Sequence, residues 1–139
     1  MPEKNKFVLD SYSLIGYLED EPFSNQIEDL LKKARKGSTQ LFLHALHLGE
    51  VYYITLREQG EQMAGSAYSK IRAFPLSFID RISDELILKA ASLKANYPIS
   101  YADSFAAALA VLNDCFLLSG DPEYRALEKE GILKVHWLS

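Results

Sequence analysis

The sequence predicts an α/β fold of three layers, in which a five-stranded, largely parallel sheet lies between two layers of helices. The chain has 139 residues, of which 48% are hydrophobic and 24% are charged. This length and composition are typical of a globular protein, so we expect a single domain over residues 1–139. Five short apolar runs alternate with longer helical patterns, which is typical of parallel strands with helices packed on both faces.

The predicted strands are short runs rich in large or β-branched residues. In chain order they are FVLD at 7–10, QLFLHA at 40–45, PLSFI at 75–79, CFLLS at 115–119 and LKVHWLS at 133–139. Cys115, the only cysteine, begins an apolar strand, so we assign it to the core. No repeat, low-complexity tract or linker interrupts the pattern.

The predicted helices fill the segments between the strands, and glycine or proline marks most of their ends. The first runs from about Ser11 to Leu18. The others cover NQIEDLLKKARKG up to Gly37, LHLGEVYYITLREQG up to Gly60, MAGSAYSKIRAF up to Pro75, SDELILKAASLKANY up to Pro98, the alanine-rich part of NYPISYADSFAAALAVLND, and PEYRALEKEG up to Gly131.

The net charge and the lack of long apolar segments argue against some classes of protein. A net charge of −4 and a pI near 5.4 argue against a protein that grips nucleic acid by a broad positive surface. A polyanionic substrate would need metal ions or a local basic patch. The N-terminal MPEKNKFVLD lacks the apolar core of a signal peptide, and no run reaches transmembrane length. We therefore expect a cytoplasmic protein with no membrane partner.

Acidic residues follow two of the predicted strands. Asp10 closes the first strand, and Asp121 lies just after the fourth, before Pro122. In open α/β sheets, ligands bind beyond the carboxyl ends of the strands, where the strand order reverses. Each of the two acids, taken alone, is also well explained as the N-cap of the next helix.

Two further acids lie on predicted helices. Asp103 is in the first turn of the alanine-rich helix, three residues after Ser100, a spacing that resembles a capping box with reciprocal hydrogen bonds. The helical neighbours of Glu50 are mostly apolar: Leu46, His47, Tyr53 and Ile54. A buried carboxylate needs a partner, and for Glu50 an ion pair and a metal site are about equally supported.

Asp10, Glu50, Asp103 and Asp121 would converge at one edge of the sheet. Two unit charges about 4 Å apart cost about 4 kcal/mol at an effective dielectric of about 20, so such a cluster requires a cation. Hard oxygen ligands suit Mg²⁺ or Mn²⁺. These ions support hydrolysis of phosphodiester bonds by activating water and stabilising the leaving oxygen.

In four segments the sequence resembles the PIN-domain family, and within it the toxin ribonucleases of VapC type from toxin–antitoxin pairs. FVLDSYSLIGYLEDEP resembles the opening strand with its first acid, Asp10, followed by the small polar Ser11. LHLGEVYY, ISYADSFAAALA and LLSGDPEY resemble the later motifs with Glu50, Asp103, Ser119 and Asp121. The resemblance covers nearly the whole chain. One departure is His44, where many relatives have serine or threonine.

The resemblance implies a parallel sheet of order 3-2-1-4-5 and a homodimer. It implies that the four acids bind Mg²⁺ or Mn²⁺, and that the hydroxyl of Ser119 positions ligand or metal. The expected substrate is RNA, and the expected protein partner is a small antitoxin that covers the site. The metal and capping roles of Asp103 are compatible, because a helix N-terminus keeps a carboxylate ionised, as a metal ligand must be.

Other interpretations fit less well. A haloacid-dehalogenase-type phosphatase would have a second aspartate where Tyr12 stands, and a phosphoacceptor signalling domain would have an aspartate ending the third strand and a lysine ending the fifth. A PIN fold that binds without catalysis is a further alternative, which the intact set of acids disfavours. His44 and His47 have no cysteine nearby, so packing roles are favoured over zinc. Packing roles are likewise expected for Tyr52, Tyr53, Tyr68 and Tyr101.

Overall fold

The structure, a computed structural model, describes residues 3–139. All strand pairs of the sheet are parallel, and the strand order is 3-2-1-4-5. Both the α/β class and the order implied by the resemblance are therefore confirmed. The strands are β1 (Glu3–Leu9), β2 (Gln40–His44), β3 (Ser77–Ile79), β4 (Cys115–Ser119) and β5 (Val135–Trp137).

Seven α-helices connect or follow the strands within the described residues. They are α1 (Ser11–Leu18), α2 (Ser24–Arg35), α3 (Ala45–Gln59), α4 (Glu61–Arg72), α5 (Asp84–Asn96), α6 (Tyr101–Leu112) and α7 (Arg125–Lys129). Gly37 and Gly60 follow α2 and α3 with φ of 82° and 89°, a conformation that glycine adopts without steric cost. No helix between residues 3 and 139 is both long and apolar enough to cross a membrane.

Two predicted elements differ from the structure. The first strand begins at Glu3, before the apolar run, because its backbone pairs with β4 as early as Cys115. The last predicted helix is wrong in part, since Pro122–Tyr124 forms a 3₁₀ turn and only Arg125–Lys129 is α-helical. The tighter turn buries Tyr124 completely and brings its hydroxyl group to Asp10.

Each central strand contributes to two apolar cores, one on each face of the sheet. Val8 of β1 and Leu117 of β4 pack with α5, α6 and α7. Leu9 and Leu118 point to the opposite face and pack with α1, α2, α3 and α4. This period of two explains why the central strands are apolar almost throughout.

The strand order indicates which edge of the sheet is suited to bind a ligand. β1 lies between β2 and β4, so the connections from β1 and from β4 run to opposite sides of the sheet. Leu9 pairs with Leu118, which puts Asp10 beside Ser119 just beyond the carboxyl ends of the two strands. This is the switch point at which ligands bind in open parallel sheets.

Candidate metal centre

Asp10 lies beneath the surface at the switch point. It is 0% exposed, and it forms the N-cap of α1 because its Oδ1 accepts from the backbone N–H of Ser13 at 3.0 Å. Its Oδ2 accepts from the hydroxyl of Tyr124, also at 3.0 Å. The capping interpretation of Asp10 is therefore correct. Its carboxylate also forms the buried floor of the site, although it does not line the open cleft.

Ser119 links two of the acids. Its side chain is completely buried and is hydrogen-bonded to the carboxylate of Asp10, and its Oγ accepts from the backbone N–H of Asp121 at 3.1 Å. The geometry thus gives Ser119 contact with Asp10 and with the loop that carries Asp121, but no place in the cleft lining. Ser11, by contrast, does line the cleft at the start of α1.

Asp103 is positioned by the first turn of α6. Its backbone N–H donates to Oγ of Ser100 at 3.2 Å, as expected for the N-cap. The reciprocal half of the predicted capping box is wrong, because the backbone N–H of Ser100 donates to Oε1 of Glu123 at 2.7 Å. Glu123 replaces Asp103 as the acceptor there. The Asp103 carboxylate instead lines the cleft.

Three carboxylates come together at this edge. Asp103, Asp121 and Glu123 each offer an oxygen, and these oxygens lie within 4.8 Å of one another. Asp121 also caps the 3₁₀ turn, since its Oδ1 accepts from the backbone N–H of Glu123 at 3.0 Å. Sequence reasoning did not identify Glu123. The signal for it was its position two residues after Asp121, in a turn that begins with Pro122.

Glu50 reaches the same cleft from another element. It lies on α3, outside the group of three close carboxylates, and its side chain lines the cleft. Its Oε1 is buried and has no hydrogen-bond partner among the described residues. The structure therefore gives no support to an ion pair at this atom.

The cleft is strongly acidic. Its volume is about 560 Å³, and none of its described lining residues is lysine or arginine. The acids that line it are Glu19, Glu21, Glu50, Asp103, Asp121 and Glu123. Negative charge at this density is stable only with protons or cations bound.

The pKa values of the buried groups reflect this crowding. Burial and the charges of Asp10 and Asp121 raise the pKa of Asp103 to about 8, although a hydrogen bond from Tyr124 acts in the opposite direction. Burial also raises the pKa of Asp10, against hydrogen bonds from Ser119, Ser13 and Tyr124. Tyr124 itself has a pKa well above its ordinary value, because it is buried between two carboxylates and remains a hydrogen-bond donor.

These donors fit a hard divalent cation. Every candidate ligand atom is a carboxylate oxygen, and one of them, Oε1 of Glu50, is buried without a partner. Oxygen-only ligand sets favour Mg²⁺ or Mn²⁺ over zinc, which prefers histidine and cysteine. The residues present therefore suit Mg²⁺ or Mn²⁺.

Neither histidine near the site lines the cleft. Both ring nitrogens of His44 are hydrogen-bonded, whereas Nδ1 of His47 is buried without a hydrogen-bond partner among the described residues. Nδ1 of His44 accepts from the backbone N–H of Leu46 at 3.0 Å, and its Nε2 donates to the carbonyl of Arg81 at 2.8 Å. His44 thus forms the N-cap of α3, the task that serine or threonine performs elsewhere. Nε2 of His47 donates to the carbonyl of Ala102 at 2.8 Å, which ties α3 to the first turn of α6. Burial lowers the pKa of His47.

Comparisons with known proteins bear on this fold and site. A sequence model of the PIN domain matches residues 7–130. VapBC2 from Rickettsia felis, solved bound to a DNA fragment from its promoter, is similar with a TM-score of 0.74 at 15% identity, over 96% of this chain and 99% of the other. DNA-bound VapBC from Salmonella typhimurium gives 0.71 at 12% identity, over 94% and 96% of the two chains.

A third similar structure is VapC20 from Mycobacterium tuberculosis, described as a toxin that cleaves the sarcin–ricin loop. Its TM-score is 0.67 at 13% identity, over 93% of this chain and 98% of the other. At such identities the likeness establishes a common fold. Comparison with curated protein sequences gives no match.

Proposed function

The chain belongs to the PIN domain family, and from this premise we propose that it is an endoribonuclease that depends on Mg²⁺ or Mn²⁺. The observation that carries the proposal is the cluster of Asp103, Asp121 and Glu123, whose oxygens lie within 4.8 Å of one another. The cluster lies in a cleft with no described lysine or arginine in its lining, so a bound cation is the most direct way to compensate its charge.

The proposed roles follow from the position of each residue. Asp103, Asp121 and Glu123 hold the ion, and Glu50 offers a further oxygen from α3. Asp10 and Ser119 lie below and orient the ligands, because they hold Tyr124 and the Asp121 loop in place. Ser11 lies at the cleft surface, where its side chain is placed to position substrate or a coordinated water. The chemistry that such an ion supplies is activation of water and neutralisation of charge on the phosphodiester.

RNA is the proposed substrate because the resemblance to toxin ribonucleases of VapC type implies it, and metal-compensated carboxylates suit its phosphodiester bonds. The phosphoacceptor alternative is disfavoured, since Asp80, after β3, does not line the cleft and β5 ends at Trp137 rather than lysine. A PIN fold that binds without catalysis remains the second candidate. It requires that the acids serve only binding, which an activity assay decides.

The assay compares wild type with Asp121→Asn and with chelator. We expect purified protein to cleave total RNA in Mn²⁺ or Mg²⁺, and both the substitution and excess chelator to abolish cleavage. Glu58→Gln is the matched control, because Glu58 is an exposed acid of α3 outside the cleft lining. Cleavage that continues in chelator but is lost in Asp121→Asn would contradict the metal mechanism, and cleavage that Asp121→Asn retains in full would contradict the assignment of the site.

We further propose that the protein is the toxin of a toxin–antitoxin pair in the cytoplasm. Similar folds occur in VapBC complexes, and the surface suits a partner that carries both apolar and basic residues. A groove of about 400 Å³ between α1, α3 and α4 is lined by apolar residues that include Leu18, Met63 and Ala67, and by polar ones that include Thr55, Gln59 and Lys70. It shares Ile15 and Glu19 with the acidic cleft, so one extended segment can occupy both.

Growth experiments test this role. Expression of the protein alone should slow growth, and co-expression of a small neighbouring gene should restore it. Asp10→Ala at equal protein level should not be toxic, because it removes the acceptor for Ser13 and Tyr124 that supports the site. Equal growth of the two strains would count against toxicity.

A further inference from the structure

The cleft has an aromatic wall as well as an acidic one. Tyr12, in the first turn of α1, is 40% exposed and lines the cleft together with Phe23. The two rings are stacked, with centroids 5.8 Å apart and planes inclined by 19°. The sequence alone suggested no function for Tyr12. The residue was notable only because a haloacid-dehalogenase-type phosphatase would have an aspartate at this position.

Two glycines create the space for this pair of rings. A Cβ atom added at Gly16 would overlap the ring of Phe23, lying 2.6 Å from its Cε1. A Cβ atom at Gly120 would lie 2.8 Å from Cε1 of Tyr12 and 2.9 Å from the carbonyl oxygen of Leu138. Neither glycine has a positive φ. Gly16 leaves room for the ring of Phe23, and Gly120 leaves room for both Tyr12 and the backbone of Leu138.

The position of Tyr12 relative to the acids is therefore fixed from two sides. Phe23 supports the stacked ring, and Gly120 contacts its edge. Gly120 is the residue before Asp121, one of the three clustered carboxylates. A ring held in this way is preorganised, so little side-chain entropy is lost when a ligand packs against it.

The charge of the cleft limits what can bind beside the metal centre. Phosphates that flank the scissile phosphate meet carboxylates and no described lysine or arginine in the cleft lining. Such phosphates contribute little affinity there, so the neighbouring nucleotides must be held by neutral contacts. Stacking of a base on an aromatic side chain is the main neutral contact available to single-stranded nucleic acid.

We infer that Tyr12 is the stacking platform for an unpaired base next to the scissile phosphate. This inference rests on the proposed ribonuclease function. Bases within a continuous duplex cannot stack on Tyr12, because they are already stacked on one another. Tyr12 is then a substrate-binding residue of the cleft.

The test measures binding separately from cleavage. Short single-stranded oligoribonucleotides carrying 2-aminopurine at one position each are titrated with protein in Ca²⁺, and stacking on Tyr12 should quench the fluorescence at one position. Tyr12→Leu should abolish the quenching and weaken binding by roughly 5- to 150-fold, equivalent to about 1–3 kcal/mol for one stacked base. Tyr12→Phe should behave as wild type, because it keeps the ring.

Two controls separate stacking from a loss of structure. Tyr68→Leu is the matched variant, since Tyr68 is 37% exposed on α4 and lies outside the cleft lining. It should bind RNA as wild type does. An RNA with an abasic nucleotide at the quenched position should bind wild-type protein as weakly as the intact RNA binds Tyr12→Leu. Combining the abasic RNA with Tyr12→Leu should weaken binding no further than either change alone.

The outcomes distinguish this inference from the proposed function. If wild type cleaves RNA in Mn²⁺ and Tyr12→Leu binds and cleaves equally well, the stacking role is overturned and the nuclease stands. Loss of binding in Tyr12→Phe as large as in Tyr12→Leu overturns it in favour of a hydroxyl contact. Unchanged RNA binding with lost affinity for the neighbouring gene's protein assigns Tyr12 to a protein interface instead. Wild type that neither binds nor cleaves RNA overturns both proposals.

Discussion

Individual residues at the switch point combine structural and chemical tasks. Asp10, Asp103 and Asp121 all lie at helix or turn N-termini, where backbone N–H groups and the helix dipole favour negative charge. The same placement directs their carboxylates to one edge of the sheet. Of the three, only Asp121 both accepts a capping hydrogen bond and belongs to the close carboxylate cluster. Asp10 caps α1 but lies outside that cluster, and the cap of α6 is Ser100 rather than Asp103.

Asp103 should make the stability of the metal-free protein depend on pH. Its pKa is raised from 3.8 to about 8 in the folded protein, so the folded state binds a proton that the unfolded state releases. Stability should therefore fall as pH rises from about 4 to about 8. Asp103→Asn removes this pH-dependent loss of stability. In chelator the variant should therefore melt no lower than wild type, and the difference between the two melting temperatures should increase from pH 4 to pH 8.

Thermal melts from pH 4 to pH 8 in chelator, and at pH 7.5 with Mn²⁺, check both parts of this prediction. Mn²⁺ should raise the melting temperature of wild type by linkage, and that of Asp103→Asn much less. If the Asp103 carboxylate only complemented the dipole of α6, the variant would be destabilised by at most about 1 kcal/mol. Equal responses of the two proteins to Mn²⁺ would then remove Asp103 from the site.

His44 should be replaceable by serine more readily than by alanine. Its Nδ1 accepts from the N–H of Leu46, and a serine hydroxyl at the same N-cap position can do so too. Both substitutions lose the bond to Arg81, so the difference between them isolates the cap. We expect His44→Ser to be more stable than His44→Ala by about 1 kcal/mol in urea unfolding.

The Mn²⁺ affinity of both His44 variants should equal that of wild type, because both ring nitrogens are occupied away from the cleft. A large loss of metal affinity in His44→Ser would mean that the imidazole belongs to the site after all.

At the scale of elements, α1 is built around the site at a cost to its own stability. A glycine within a helix is less favourable than alanine by about 0.5–1 kcal/mol, yet Gly16 lies in the second turn of the eight-residue helix α1. The ring of Phe23, which follows α1, fills the space that a side chain would need. α1 thus gives up helix propensity in exchange for a stacked aromatic pair at the edge of the cleft.

Glycine-to-alanine substitutions in two helices should therefore have opposite effects. Gly16→Ala should destabilise the protein, because the new methyl group displaces Phe23 and disturbs Tyr12. Gly65→Ala is the control, since Gly65 lies within α4 and has no atom within 4 Å of its added Cβ. It should stabilise by about 0.5–1 kcal/mol in urea unfolding. The same sign of change in both variants would contradict this account of Gly16.

At the scale of the whole molecule, the described residues leave an apolar surface around α5. Ile82, Ile87 and Leu88 are exposed on or just before this helix, and Leu88 is 69% exposed. Leu86, Ala90 and Leu93 form the buried face of the same helix. A helix that is apolar on more than its core face is typical of an element that packs against a second molecule.

The homodimer that the family resemblance implies should use this surface. Light scattering should give twice the chain mass of 15.7 kDa, and Leu88→Lys should give the monomer mass with an unchanged circular-dichroism spectrum. Leu56→Lys on α3 is the control, because Leu56 is also exposed but lies on another element. A dimer that survives Leu88→Lys would mean that a different face makes the contact.

Local patterns were enough to predict which segments of the chain form strands and which form helices, since periodicity, glycine and proline mark each element. The order of the strands within the sheet was expected only from the family resemblance. The polar start of β1 was missed because its strand conformation depends on pairing with other strands, with β4 at Glu3 and with β2 at Lys6. The 3₁₀ turn at Pro122–Tyr124 escaped because a short acidic segment fits an α-helix equally well. Local pattern also placed Asp10 and Asp121 at strand ends, which was enough to suggest a site.

The arrangement of the acids depends on tertiary packing. In the folded chain Glu123 lies beside Asp103 and Asp121, the hydroxyl of Tyr124 donates to Asp10, and Glu50 lies apart from the close cluster. These distances depend on how α3, α6 and the turn after β4 pack against one another, and no local pattern encodes that packing. The support of Tyr12 by Phe23 and the two glycines is of the same kind, because van der Waals contact between distant segments is a property of the folded chain.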